Sequence, residues 1–499
     1  MKFIKKFIYG HYRFFYRLLE ILPGFFSWNL ILFPYWGILL IPNVVAYFVL
    51  LFNIYWFYQS FQIAIFATLS HFRIQASMKY DWVEDLKSFP DWEKVQHIVI
   101  IPTYREPLHI LKRTIDSLAK QTLPRKQLSV VLAMEARAPE EEREAKAKYL
   151  TQKFKDIFGD FMVTVHKLAA GEAIGKASNE RYAAIEIKKL LIDTGKYDMD
   201  YATVTSCDAD HVYHKNHFAY LTFRFLDNPN RYKFFWQPAV MFYNNIWDLP
   251  AITRVPSTLS SIWNLSQLPR RDRLINGQNY TLSFKLLDEA EYWDPDKIPE
   301  DWGIFFKAFY KKRGGLEVEP IYLPLYADAV LSTSLIKTLK SQYQQQKRWA
   351  WGVSDTPWII KNYLFVPGVP FIDKTTRLFS VFWQHFMWPV NWFIITIGLT
   401  LPTIINPAFG RTTLGYTVPR ISSFVLTLSL SFLVIMLLID RFYKPKRPKN
   451  FPLWRAILMP LEFVIMPLAG LIFGALPGID AHTRLMMGKY IEYKVTEKV

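Results

Sequence analysis

Cysteine is almost missing from this sequence: Cys207 stands alone among 499 residues. A single thiol excludes an internal disulfide and a zinc site built on paired cysteines, and it agrees with a reducing compartment for the polar part of the chain. There is no Walker-type phosphate loop and no Gly-x-Ser-x-Gly elbow, which removes P-loop nucleotidases and the elbow-type serine hydrolases. No internal repeat or low-complexity tract is present. The most informative absence is local. From Ile21 to Phe72 there is no Asp, Glu, Lys or Arg. One bilayer crossing takes roughly 20 apolar residues, so this stretch holds two. The Pro42-Asn43 pair divides it into spans near residues 25–42 and 44–70. The run is too long for the apolar part of a cleaved leader and shows no clear cleavage site.

What is present is apolar, aromatic and basic: 51% hydrophobic, 17% aromatic and 21% charged residues, with a net charge of +17. That composition excludes a disordered chain. The cations cluster beside the apolar runs. Lys2, Lys5, Lys6, Arg13 and Arg17 precede the first, Arg73 and Lys79 follow it, and Arg441, Lys444, Lys446, Arg447, Lys449 and Arg455 separate two later ones. This is the positive-inside pattern of a membrane protein, not the basic face of a nucleic-acid binder.

Between the membrane regions the sequence alternates strand-like and helical patterns. Residues 97–101 form a continuous apolar run, as in a buried parallel strand. Pro107 then suits the start of a helix whose face carries Leu108, Leu111, Ile115 and Leu118. Residues 128–134, 161–165 and 201–206 read as further strands, and Pro139 opens a helix with three glutamates at its positive end. Strands alternating with helices imply a doubly wound α/β sheet with ligands at the strands' carboxyl ends. Residues 378–405 and 421–439 are further spans. Residues 457–476 form another apolar run, broken by Pro460 and Pro467 and carrying Glu462. A re-entrant or interfacial element fits that run as well as a crossing does. The basic tail, with Arg484, Lys489, Lys494 and Lys498, favours the inside, whereas five crossings would put it outside.

Four motifs carry chemistry. Asp208-Ala209-Asp210 leaves the end of an apolar strand, where two carboxylates can hold a hard divalent cation that neutralises a diphosphate; an exposed acidic turn is the plainer reading. Pro299-Glu300-Asp301-Trp302 offers a carboxylate as general base beside an aromatic wall, or a helix cap. Residues 344–351, Gln-Gln-Gln-Lys-Arg-Trp-Ala-Trp, combine amides, a guanidinium that can grip a diphosphate and indoles that can stack on sugar; an amphipathic interface helix fits equally. Gly175-Lys176-Ala177-Ser178-Asn179 places a lysine at a loop-to-helix junction, facing either a phosphate or solvent. His211 and His214 lack metal-ligand spacing and read as structural or supporting.

The order of these motifs resembles the membrane-embedded, inverting family-2 glycosyltransferases, the group of cellulose, chitin and hyaluronan synthases. The resemblance runs from Ile100-Ile-Pro-Thr-Tyr-Arg-Glu106 through the Lys176 and Asp208–Asp210 motifs. Trp236-Gln237-Pro238, Glu300-Asp301 and the Gln-x-x-Arg-Trp match at Gln345, Arg348 and Trp349 complete it. It implies an α/β domain of GT-A (Rossmann-like) fold inserted between transmembrane helices. The divisions expected are a membrane region over 1–73, a catalytic domain over 74–340, an amphipathic interface segment over 341–377 and a membrane region of two to three spans over 378–499. It further implies Asp301 as base, Tyr104, Glu106, Glu135, Lys176, Asp208 and Arg348 at the donor, Gln345 and Trp349 at the acceptor, and Asp208 and Asp210 on Mg or Mn. Glu135 stands where the family has an acidic turn, a departure that bears on base and nucleotide preference.

The expected activity is hexosyl transfer from a nucleotide sugar, such as a UDP-sugar, to a growing polysaccharide, processive and coupled to translocation. Single addition to a lipid-linked acceptor is the alternative. The expected location is the plasma (inner) membrane, in contact with its lipids, with the catalytic domain cytoplasmic and no nucleic-acid partner.

Overall fold

The computed structural model describes residues 10–398 and 401–493. Lys2, Lys5, Lys6, Lys494 and Lys498 of the basic flanks lie outside the described residues. The uncharged N-terminal stretch forms helices α1 (Tyr12–Leu40) and α2 (Pro42–Lys79). The break falls at Ile41, because Pro42 has no N–H to donate and starts a new helix. Both helices overrun the expected spans at their polar ends, where Arg17 and Lys79 continue the helix beyond an apolar core.

The next segment builds one eight-stranded sheet in the order β3-β2-β1-β4-β7-β6-β8-β5. In chain order its parts are β1 (Gln96–Thr103), α3 (Leu108–Ala119), β2 (Leu128–Glu135), α4 (Glu140–Phe154), β3 (Asp160–His166), α5 (Lys176–Ile187) and β4 (Ala202–Ser206). Then come β5 (Val212–Tyr213), α6 (His217–Asp227), β6 (Phe234–Met241), α7 (Ala251–Gln267), β7 (Tyr280–Ser283), α8 (Asp301–Lys311) and β8 (Glu317–Tyr326). The first four strands are parallel, with Val99 opposite both Val130 and Thr205. β7 runs antiparallel between β4 and β6, so the doubly wound half continues into a mixed half.

Alternation along β1 explains the two layers. Val99 and Ile101 face one core with Leu111, Ile115 and Leu118 of α3; Ile98 and Ile100 face the other with Ala183, Ala184 and Ile187 of α5. Each fully buried aliphatic side chain there contributes about 1.5–3 kcal/mol. A charge at Ile100, which is fully buried, would break this sheet. Because β2, β1 and β4 are neighbours, their carboxyl ends bring the turns after Thr103, Glu135 and Ser206 together.

After the sheet come α9 (Leu335–Ala350), α10 (Phe371–Thr396), α11 (Thr413–Tyr443) and the broken helical run α12 (Leu453–Met486). Among the described residues α1, α2, α11 and α12 are long and apolar enough to cross a membrane, which makes this a membrane protein. The run expected to cross over 378–405 is placed instead in α10 and a short helix, Leu401–Ile405. Its helix begins at Phe371 and takes in Asp373, Lys374 and Arg377, and it is not among the four. α12 departs from α-helical winding at Met459–Ile465 and again at Leu471–Ala475, as prolines 460 and 467 require. The Glu462 carboxylate in this break receives Arg254 of α7 at 2.5 and 2.7 Å, so its charge is paired. α1 closes the bundle: Arg17 donates to the carbonyl of Leu485 at 2.8 Å, and Trp28 to Thr483 at 2.9 Å.

Candidate active site

A single cavity opens over the carboxyl ends of the parallel strands, and nine of the expected residues line it: Tyr104, Glu106, Glu135, Lys176, Asp208, Asp210, Gln345, Arg348 and Trp349. Asp301 is not on its wall but touches Gln278, which is: the Gln278 N–H donates to Asp301 Oδ2 at 3.1 Å.

The turn after β1 forms one wall of the cavity. Glu106 folds back to accept from the Tyr104 N–H at 2.7 Å and the Thr103 hydroxyl at 2.6 Å, so this carboxylate shapes the turn that presents Tyr104. Glu135 ends β2 and pairs with Arg137, whose guanidinium lies 4.9 Å over the Tyr104 ring. Burial raises the Glu135 pKa above the ordinary value, and Arg137 only partly offsets this.

Lys176, at the start of α5, sits among carboxylates. Its ammonium lies 2.9 Å from Asp208 Oδ1, 3.1 Å from Glu300 Oε1 and 3.8 Å from Glu180 Oε1. Burial alone would push its pKa down; the surrounding carboxylates outweigh burial and hold it well above the usual lysine range. Glu180 is wholly buried, and burial lifts its pKa to about 8; Ser206 donates to it at 2.6 Å.

One oxygen or nitrogen from each of Asp208, Asp210 and His211 lies within 4.8 Å of the others. His211 thus joins the acidic turn, contrary to its reading as an isolated histidine; the signal was its place directly after Asp210. His214 lies outside this group and accepts from the Asn216 N–H at 3.3 Å. Asp210 is buried, and its Oδ2 accepts the Asp328 N–H at 2.7 Å. His211 Nδ1 accepts the Asp208 N–H at 3.2 Å, so the neutral ring carries its proton on Nε2, which points towards Asp208 Oδ2 at 3.8 Å. The carboxylates are therefore the principal donors, a hard-oxygen set that can hold Mg or Mn, with His211 supporting them.

Asp301 begins α8. Trp302 N–H donates to its Oδ1 at 2.9 Å, and Asn276 donates to its backbone carbonyl at 2.6 Å. The helix terminus and these bonds favour the carboxylate. Desolvation of this half-buried carboxyl and the neighbouring Glu300 prevail, however, and raise its pKa to about 7. Trp302 packs over Gly352, where any Cβ would overlap the indole, and stacks on His385 of α10 at 4.5 Å. The segment carrying Asp301 is thereby fitted between the turn after α9 and α10.

α9 supplies the far wall. It starts at Leu335, ahead of the interface boundary expected at 341, because Ser334 caps it by accepting the Lys337 N–H at 3.3 Å. Gln345 is buried, and Trp349 meets Phe242 at 5.9 Å. Tyr493, which no motif announced, returns from the C-terminal end to place its ring 4.6 Å beneath the Arg348 guanidinium and against Gly175. Phe242 and Gln278 also line the cavity without a sequence signal.

No curated protein matches the sequence. Among solved structures, the chain is similar to the mannosyltransferase PcManGT from Pyrobaculum calidifontis in complex with GDP-Man and Mn2+, at 14% identity and a TM-score of 0.44, over 80% of this chain and 100% of that one. It is also similar to S. aureus TarS 1-349 in complex with UDP-GlcNAc, at 13% identity and a TM-score of 0.33, over 80% of this chain and 94% of that one. Residues 203–439 match the family described as Glycosyl transferase family group 2. The matched stretch opens in β4 and takes in the acidic turn, Asp301 and the Gln-x-x-Arg-Trp helix.

Proposed function

We propose that the chain transfers a hexosyl unit from a nucleotide-sugar donor, such as a UDP-sugar, with inversion, to a polysaccharide that grows processively and leaves through the membrane region. The observation that carries this reading is Asp301. It is a half-buried carboxyl whose pKa desolvation and Glu300 raise to about 7, and it accepts from the Gln278 N–H on the cavity wall. A base needs a pKa near the working pH to accept a hydroxyl proton.

The acceptor hydroxyl gives its proton to an Asp301 carboxylate oxygen as it attacks the anomeric carbon. The bond from that carbon to the donor's diphosphate breaks, and the nucleoside diphosphate departs. Asp208 and Asp210 would hold the divalent metal, which when bound offsets negative charge on the diphosphate. Arg348 reaches the same cavity and adds a fixed positive charge. Tyr104 and Glu135 border the nucleotide end, and Gln345 and Trp349 the acceptor end. Lys176 serves by neutralising Asp208 and Glu300.

The basic flanks Arg13, Arg17, Arg73 and Arg377 support a cytoplasmic catalytic domain, in the plasma (inner) membrane. The test is a screen of nucleotide sugars against purified membranes, scoring nucleotide release and product length. Release with a ladder of products supports the reading. A single sugar added to a lipid acceptor replaces it with the single-addition alternative, and no release from any donor overturns it.

A further inference from the structure

The loop between α7 and β7 carries Arg270, Arg271 and Arg273 against the outside of α2. Two of the three are accounted for only in part. Arg271 reaches Glu317 at 2.8 Å, and Arg273 reaches its neighbour Asp272 at 3.2 Å. Arg270 is half-buried with its guanidinium 5.4 Å over Phe66. Among the described residues no carboxylate lies within ion-pair distance of it; Arg273 and Asp272 act on it with opposite sign, and Asp272 is held by Arg273. One carboxylate shared by two guanidiniums leaves a net positive charge that an outside anion can balance.

The depth of this cluster is set by α2. At 1.5 Å per residue from Pro42, an apolar core of roughly 30 Å ends near Phe61 or Gln62. Phe66 lies beyond that boundary, and Tyr55 and Tyr58 lie just inside it. Both Arg270 and Arg273 act electrostatically on the Tyr55 hydroxyl. Trp383 of α10 donates to that hydroxyl at 2.6 Å, and Gln62 donates to Tyr58 at 2.7 Å. Around these polar atoms Tyr58, Phe379 and Trp383 stay exposed along the seam between α2 and α10. An anionic head at the arginines and apolar chains along exposed rings describe one kind of molecule.

We propose that Arg270 and Arg273, with the hydroxyls of Tyr55 and Tyr58, seat the phosphate of an anionic phospholipid in the leaflet facing the catalytic domain, its chains lying between α2 and α10. The phosphate accepts from two guanidinium forks and relieves their repulsion. The seat lies on the loop that supports the base: Asn276 and Gln278, a few residues on, both bond Asp301. An occupied seat therefore steadies that loop. The inference does not depend on the donor or acceptor of the reaction.

The test uses the full chain in nanodiscs of phosphatidylcholine alone or mixed with phosphatidylglycerol, with retained phospholipid measured by native mass spectrometry. Wild type should retain phosphatidylglycerol selectively. Arg270→Gln/Arg273→Gln should weaken that retention about thirtyfold, the product of two surface-proximal basic groups. Arg271→Gln, whose partner is Glu317, should leave it unchanged. If the double variant fails to assemble, Tyr55→Phe/Tyr58→Phe keeps every charge and ring and should still lower retention. Equal retention by wild type and the double variant overturns the site. So does an equal loss in Arg271→Gln, which would mean diffuse charge attraction. Retention of phosphatidylcholine in place of phosphatidylglycerol overturns the anionic specificity.

Discussion

The Lys176 ammonium lies 2.9 Å from Asp208, and the same nitrogen lies 3.1 Å from Glu300, so one buried cation ties the acidic turn to the segment that carries the proposed base. In the proposed site it balances charge within the protein. Lys176→Met would leave Asp208, Glu180 and Glu300 facing one another, and breaking a buried pair in this way costs about 3–5 kcal/mol. Denaturant unfolding of the purified variant should show that loss together with inactivity. Unchanged stability with donor affinity alone reduced would return Lys176 to the diphosphate.

Asp301 sets a pH limb. It accepts a proton only as carboxylate, so kcat/KM should rise with pH through about 7, the value to which burial lifts it. Asp301→Asn should lower transfer by about 10²–10⁴-fold and leave nucleotide binding in place. Stability moves with the opposite sign to activity. The folded state binds this proton more tightly than the unfolded state, where the pKa is near 3.8. The contribution of Asp301 to folding is therefore full below that value and lost as pH rises through 7. Relative to wild type, the Asn variant should gain roughly 3 kcal/mol between about pH 5 and about pH 8. A flat difference between the two proteins across that range would contradict the half-buried, protonated carboxyl.

The parts of this architecture that repeat along the chain were legible in sequence. The alternation at residues 98–101 marks both faces of β1, and Asp208 and Asp210 stand where a strand ends. Partnerships between distant residues were not. The ion pairs of Lys176 with Asp208 and Glu300 exist only after the sheet and α8 pack, so no spacing announces them. Glu462 was visible as a charge in an apolar run, but its partner Arg254 lies in α7. Tyr493 reaches Arg348 from a tail without any motif. The run over 378–405 falls in α10 and the short helix Leu401–Ile405, with Gln384, His385 and Asn391 interrupting its apolar residues.

The metal is tested at Asp210. Chelation should remove transfer, and added Mg or Mn should restore it. Asp210→Asn keeps an oxygen for the Asp328 N–H, which donates at 2.7 Å, so the fold should hold. Affinity for Mn, followed by its paramagnetic signal without any donor, should fall by at least about 10–100-fold, the loss seen for supporting partners alone. Full activity in excess chelator would remove the metal from the reaction.

Trp349 decides between a sugar platform and an anchor in lipid. It lines the cavity beside Arg348 and meets Phe242 at 5.9 Å, so part of its ring faces the site. A sugar presents C–H groups on one face, and the indole offers a broad apolar surface to match. Such stacking resembles aromatic contacts worth roughly 0.5–1.5 kcal/mol beyond area burial. At each addition a weaker hold raises the chance that the chain leaves before the next sugar arrives. Trp349→Ala should therefore shorten products or divert donor to hydrolysis, while nucleotide affinity stays nearly unchanged. Trp349→Phe, with a smaller ring, should fall between. An anchor predicts otherwise: Phe would restore membrane seating, and product length would not follow ring size. Length profiles of wild type, Phe and Ala at matched enzyme levels separate the two, and identical profiles would assign Trp349 to the interface. A wild-type enzyme that adds one sugar only would end the processive reading, leaving Trp349 to hold the sugar-accepting end of a lipid.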